Sequence, residues 1–220
     1  MTAAADRSRS PSGRHAVRGA LRRPLGAWLL ALVCAGCAAP PAVHFHSLVL
    51  PMHPAPKEGL APVGRGPAIV LDAIRIPVAV DQPQWLLRLP DDTLTLLEQE
   101  RWASPLRDEF RQALMEILRH RYGAVDVRTI GSGATAWRLH VTITRFELQP
   151  GEAWLESVWS LGRRDADTPA LRCRSSFRES SAGGMPALGQ AQRRAVEKLG
   201  DAIGEQLLAV NGGQAGRCPT

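Results

Sequence analysis

Three histidines, His44, His46 and His53, fall within ten residues of one another. On a strand, His44 and His46 share a face, because side chains two apart point the same way. Imidazoles so placed can bind a transition metal. No acid or cysteine stands near them in sequence, so the pattern predicts an exposed edge strand and no metal. Hydrolysis needs a nucleophile, a base and oxyanion donors. The chain has no Gly-x-Ser-x-Gly elbow, and Gly131-Ser132-Gly133 fits only a turn. His120 falls late in a helical pattern, where a cation complements the helix dipole. His140 falls on the polar side of a strand. Neither has the company that a general base requires, so no catalytic residue is expected. Arg172, Arg174 and Arg178 alternate onto one strand face, where they can meet acidic lipid headgroups or an acidic partner. A solvated face with cross-strand acids such as Glu152 or Glu156 is the simpler expectation. Trp85, Trp102, Trp137, Trp154 and Trp159 are candidate partner anchors. Trp137 and Trp159 suit a core, whereas Trp102, just before a helix start, either staples the helix entry or contacts a partner.

The four cysteines divide by context. Residues 25–36 carry no charge, and Arg18, Arg22 and Arg23 precede them. Twelve residues at about 1.5 Å each make roughly 18 Å of helix, short of a bilayer core of roughly 30 Å. The run therefore reads as a secretory h-region. Its end, Ala35-Gly36-Cys37, resembles a bacterial lipobox, in which the cysteine is acylated and becomes the first mature residue. Cys34 fits that role less well because bulky Val33 precedes it. The surroundings of Arg22-Arg23 do not complete a twin-arginine motif, which favours the general secretory route. Cys173 and Cys218 remain for an oxidising compartment, where they can form one disulfide. A buried thiol on the apolar side of a strand is the alternative for Cys173.

Charge follows the same division. The formal net charge is +6; residues 1–36 hold six arginines and Asp6, a net +5, leaving about +1 for residues 37–220. The basicity thus belongs to the export signal, which argues against nucleic acid as a partner. The remaining 184 residues (220 − 36) suffice for one domain with a real core.

The elements that must position these residues follow from periodicity. Residues 44–50 read as a short strand and 51–67, rich in proline and glycine, as a loop. A strand over 68–80 is expected to break at Pro77. Residues 85–90 and 93–98 flank Asp91-Asp92 as a hairpin. Ser104 looks like an N-cap with Pro105 at the first helical position. Leu106, Phe110, Leu114, Ile117 and Leu118 then follow at helical spacing, as far as Tyr122 and a stop at Gly123. Residues 125–130 suggest a strand, so 104–122 can serve as a crossover between strands. Residues 137–143 alternate as a half-buried strand whose phase flips at Arg145-Phe146, the mark of a bulge. Strands follow at 154–161 and 171–178, then a helix at 187–210 and a tail at 211–220 that is loose apart from Cys218. The fold class is α+β: a mixed, mostly antiparallel sheet with two amphipathic helices on one face, preceded by a lipoprotein signal peptide.

The run Asp81-Gln82-Pro83-Gln84, then Arg88, Leu94 and Leu96, then Glu100-Arg101-Trp102-Ala103 and Pro105-Leu106 resembles the PqiC/YmbA-type lipoproteins. These are the auxiliary lipoprotein component of ABC-type transport systems that include MCE proteins. The likeness covers residues 37–210. His44-Phe45-His46-Ser47-Leu48 stands where that family has a tyrosine pair, and Trp85 stands where it has a β-branched residue. The resemblance implies a signal peptide over 1–36, a lipidated tether over 37–43 with palmitate-type acylation at Cys37, an auxiliary domain over 44–210 and a tail over 211–220. It also implies a non-catalytic outer-membrane lipoprotein on the periplasmic face, anchored in membrane lipid. Its partners would be an MCE-domain protein and an ABC permease system, supporting lipid transport and membrane integrity, with homo-oligomers possible and no cofactor or metal. A different class, an envelope assembly or structural lipoprotein such as an LPS-assembly chaperone or cell-wall synthase activator, is the alternative. Ala38 after the cysteine favours outer-membrane sorting by resemblance to other lipoproteins.

Overall fold

The computed structural model describes residues 41–49, 58–59, 62–130, 136–163 and 170–219. The expectations placed on residues 1–40, His53 and Gly131-Ser132-Gly133 lie outside them.

Eight strands make one sheet. They are β1 (His44–His46), β2 (Ala68–Leu71), β3 (Gln84–Arg88), β4 (Leu94–Trp102), β5 (Val125–Asp126), β6 (Trp137–Gln149), β7 (Glu152–Arg163) and β8 (Leu171–Ser180). Two long helices, α1 (Leu106–Tyr122) and α2 (Gly184–Asn211), complete the fold. The antiparallel meander β6–β7–β8 forms the wide part of the sheet. The other edge of β6 is shared. β2 runs parallel along its start, Arg75 bridges Thr142, and β3 meets its far end at Leu87 and Leu148. The hairpin β3–β4 and the parallel strand β1 extend from there, and β5 pairs in parallel with β2. The sheet is thus mixed and mostly antiparallel, and the chain is α+β.

Leu139, Val141 and Ile143 of β6 are buried, and so are Phe146 and Leu148. The phase changes because Thr144 has no partner between the pairs Ile143–Ser157 and Arg145–Glu156. One extra residue rotates every later side chain by one face. Buried alternate residues of β7 and β8, among them Leu155, Trp159, Leu161 and Cys173, continue this apolar face. Helix α1 covers it with Leu106, Phe110, Leu114, Ile117 and Leu118, and α2 with Leu188, Ala195, Leu199, Ile203 and Leu207. The helices meet closely. A Cβ at Gly200 would lie 2.8 Å from Ile117 Cγ2, and one at Gly204 would lie 2.4 Å from Tyr122 Cδ2 and Cε2.

Several expectations are corrected. β1 ends at His46 because Ser47 and Leu48 turn inward to α1. The segment 68–80 is a strand only to Leu71; a single bridge at Arg75 and a 3-10 turn (Val78–Val80) after Pro77 replace the rest. Pro105, extended at φ −50° and ψ 131°, occupies the N-cap, and Ser104 sits one residue outside it. β5 stops at Asp126, whose carboxylate accepts the Arg128 N–H and starts one helical turn (Val127–Ile130). Because β5 pairs with β2, α1 does not cross between neighbouring strands. The tail is held at its end: Cys218 is bonded to Cys173, and Arg217 N–H beside it donates to Gln206 Oε1 at 2.8 Å. Among the described residues, no helix is long and apolar enough to cross a membrane.

Candidate functional site

The stretches around Asp81 and Trp102, separated by the whole β3–β4 hairpin, meet in space. Residues 81–83 form one wall of a depression of about 290 Å³ and residues 102–106 form the other. The hairpin brings them together: Asp91 accepts the Thr93 N–H and hydroxyl, and Asp92 takes the left-handed turn conformation, with φ 67°. At the open end, Trp102 N–H donates to Pro83 O at 2.8 Å, and Ala103 N–H to His46 O at 2.8 Å. An ion pair between Arg107 on α1 and Asp81 closes the far side.

Trp102 is 5 % exposed. Its ring lies 5.1 Å from Trp85 and 5.8 Å from Phe146, and Phe146 meets Phe110 edge-on at 4.9 Å. It is therefore a wall of the depression set into the core and does not protrude. The surface available to a partner is the rim, where Ala103 and Pro105 are exposed. Phe45 on β1, Val78 on the 3-10 turn, and Leu94 and Leu96 on β4 are exposed large apolar side chains; Phe45 pairs opposite Arg101 near the depression, whereas Leu94 and Leu96 lie toward the turn end of the hairpin.

Two carboxylates hold the first strand to this end. Glu100 on β4 accepts from His44 Nδ1 at 3.0 Å and from His46 Nε2. Burial opposes its charge, but the two imidazoles outweigh that and hold its pKa below the usual carboxylate range. Among the described residues, no group of three His, Cys, Asp or Glu side chains could hold a metal. Glu109, 2 % exposed, accepts the Ser47 hydroxyl at 2.6 Å, Leu48 N–H at 2.9 Å and the Ser104 hydroxyl at 2.7 Å. From α2, Arg193 donates to Ser47 O at 3.1 and 3.3 Å. Sequence reasoning missed both acids, whose partners on the first strand and the residues after it stand 54 to 62 residues away. Glu109 did leave a signal, an acid on the Leu106–Phe110–Ala113 stripe that α1 buries.

The remaining candidates scatter. Trp85 and Trp159 are core, the latter donating to Ser175 Oγ at 3.0 Å. Trp137 is half-buried and donates to Asn211. Trp154 lies on the uncovered sheet face between Arg145 and Arg178, whose guanidinium carbons are 4.1 and 4.7 Å from its ring. His120 sits beside Glu116 at 3.2 Å and His140 beside Asp72 at 3.0 Å. Arg178 pairs with Glu152, whereas Glu156 pairs with Arg145. Cys173 and Cys218 have Cα atoms 5.2 Å apart and are joined. Cys37 lies outside the described residues.

A family model described as the ABC-type transport auxiliary lipoprotein component matches residues 49–204. That is well over half of the chain, and the chain belongs to this family. The family is one of auxiliary lipoproteins and not a class of enzymes, which implies association with an ABC transport system and a membrane-anchored place in the envelope. No curated protein matches the sequence. The fold is similar to a crystal structure described as that of an uncharacterized protein, with a TM-score of 0.60 at 13% identity over 76% of this chain and 99% of that one. A Xanthomonas campestris protein of family DUF330 is similar at a TM-score of 0.59 and 14% identity, over 78% of this chain and 98% of that one. At such identities the likeness is one of fold.

Proposed function

We propose that this auxiliary lipoprotein is a non-catalytic outer-membrane component of an MCE-dependent lipid transport system. Residues 1–36 are its signal peptide, Cys37 carries the lipid, and residues 37–43 are the tether. Six residues after the cysteine reach at most about 20 Å when extended, so the domain works close to the leaflet. The domain docks an MCE-domain protein at the depression between residues 81–83 and 102–106. The observation that carries this reading is convergence: two stretches of the run that resembles the family, separated in sequence by the hairpin, form opposite walls of one depression. The exposed Phe45, opposite Arg101 at the same end of the hairpin, adds apolar surface of the kind that a partner buries.

The test is co-purification from detergent-solubilised envelopes with an exposed rim residue changed. Ala103→Glu puts a charge into the depression without touching the Trp102–Trp85 packing. Recovery of the MCE partner should fall about tenfold or more, equivalent to roughly 1.4 kcal/mol or more. Unchanged recovery would move the contact elsewhere on the domain. If the wild type recovers no MCE protein under conditions that preserve other envelope complexes, the envelope assembly or structural role is the better reading.

A further inference from the structure

The helices cover one face of the β6–β7–β8 sheet and leave the other open. Two rows of side chains cross that open face. Register places Arg172, Ser160 and His140 in one row. The next row is Arg174, Val158, Thr142 and Arg75, the last through its bridge to Thr142. The rows are long at their ends and short in the middle, and a depression of about 350 Å³ results, walled by Arg75, His140 and Arg172 and floored by Thr142, Val158 and Ser160.

The charges around it are unusual for this face. Arg138 pairs with Asp72, Arg145 with Glu147 and Glu156, and Arg178 with Glu152. Among the described residues, Arg75, Arg172 and Arg174 have no carboxylate partner, and all three are exposed. Asp72 is the acid closest to the depression, and it is shared by Arg138 and His140. Among the described residues, two of the three arginines left without a counter-ion, Arg75 and Arg172, line the depression, and Arg174 stands next to its floor residue Val158. Strands are about 4.8 Å apart and residues rise about 3.3 Å each along them, so Arg75 and Arg172, three strands and two residues apart, start roughly 16 Å apart on opposite sides. Their forks can close on a single tetrahedral oxyanion between them.

We propose that this depression binds a phosphate group. Arg75 and Arg172 donate charge-assisted hydrogen bonds to its oxygens, Thr142 and Ser160 offer hydroxyl donors from the floor, and Arg174 adds to the local positive field. A phosphate group reaches this site either on a lipid headgroup at a bilayer surface or on a soluble ester; the chemistry of recognition is the same. The site shares no residue with the docking depression and does not depend on it.

Amide shifts of the ¹⁵N-labelled full chain in phosphatidylcholine bicelles provide the test. Three additions are compared: inorganic phosphate, glycerol phosphate, and phosphatidylglycerol in the bicelle. Saturable shifts at His140, Thr142 and Ser160 are expected with at least one of them. Response to the soluble probes identifies a soluble ester, and response to phosphatidylglycerol alone identifies a headgroup. Arg75→Ala with Arg172→Ala should weaken the response about tenfold or more, and Arg172→Gln alone should weaken it measurably. Arg178→Ala, on the same face but paired with Glu152, should leave it unchanged. A response that Arg178→Ala weakens as much as the double variant would reduce the effect to diffuse charge and overturn the site. So would silence with all three probes in the wild type, including the case in which only an acidic peptide shifts these residues. The wild-type shift map decides the matter even if a variant folds poorly.

Discussion

Glu109 offers the sharpest quantitative test, because one buried carboxylate joins three parts of the chain. It accepts from Ser47, Leu48 and Ser104. Hydrogen bonds to a charged group contribute about 1.5–3 kcal/mol each, but they do not add. In Glu109→Ala the two serine hydroxyls can rotate, and Ser47 Oγ keeps the Val49 N–H at 3.1 Å. The buried Leu48 N–H cannot find another acceptor so easily, and an unmet donor costs about 1–3 kcal/mol. Removing the carboxylate also removes its desolvation penalty, which offsets part of the loss. A net destabilisation of about 2–4 kcal/mol is expected, or a Tm lower by roughly 5–15 °C for a domain of this size. Glu109→Gln keeps one acceptor and should lose about half as much. Urea unfolding followed by tryptophan fluorescence gives these values, and hydrogen exchange at Leu48 reports the local opening. A double-mutant cycle with Ser47→Ala should show coupling above about 0.5 kcal/mol. A Glu109→Ala protein within about 0.5 kcal/mol of wild type, or a Gln variant less stable than Ala, would refute the account.

Two further predictions concern packing and pH. Gly204→Ala places a Cβ 2.4 Å from Cδ2 and Cε2 of Tyr122, whose hydroxyl is fixed by donation to Asp201 Oδ1 at 2.9 Å. Overpacking of about 1–3 kcal/mol should exceed the gain of about 1 kcal/mol in helix propensity, so calorimetry should show a lower Tm; an equal or higher one would mean that the helix seam has slack. Burial opposes the charge on Glu147, but hydrogen bonds from Arg145 and Arg88 outweigh it and lower its pKa. A depressed carboxylate stabilises the fold above its unfolded pKa of about 4.3, and that contribution is lost as pH falls through the folded value. Stability measured from pH 6 to pH 3 should therefore fall less steeply in Glu147→Gln than in wild type, and parallel curves would remove Glu147 from the acid response.

What was legible in the sequence was whatever is local. The phase flip of β6 announced a bulge because period-two alternation cannot change face without an extra residue, and Thr144 is that residue. The α1 stripe and the Gly123 stop were equally plain, since Gly123 takes the left-handed cap at φ 69°. Contacts set by sheet order were not legible. The histidines were read as lacking an acid, and Glu100 reaches them only because β1 lies parallel to β4. Trp102 was read from its place beside a helix start, and its burial depends on Trp85 and Phe146 from other strands. Ser104 looked like a cap, yet its hydroxyl bonds to a side chain deep in the first turn. The tail had the composition of a loose end, and the bond from Cys218 to Cys173 pins it.

The placement of Glu100 and Glu109 also bears on how a tethered domain carries load. β1 has three residues and pairs with β4 in only three register positions. A strand that short, at the edge of a sheet, would peel if pulled from its N-terminus. The proposed anchor at Cys37 would pull at that end, because residues 38–43 connect directly to His44. Glu100 ties His44 and His46 to β4, Glu109 ties Ser47 and Leu48 to α1, and Arg193 ties the Ser47 carbonyl to α2. Force applied at the membrane would therefore enter both helices and the hairpin within five residues. The depression between residues 81–83 and 102–106 adjoins this end, since Ala103 N–H donates to His46 O and Ser104 donates to Glu109. An anchored chain and a bound partner would then share one stiff end of the domain, and loosening Glu109 should weaken partner capture as well as the fold.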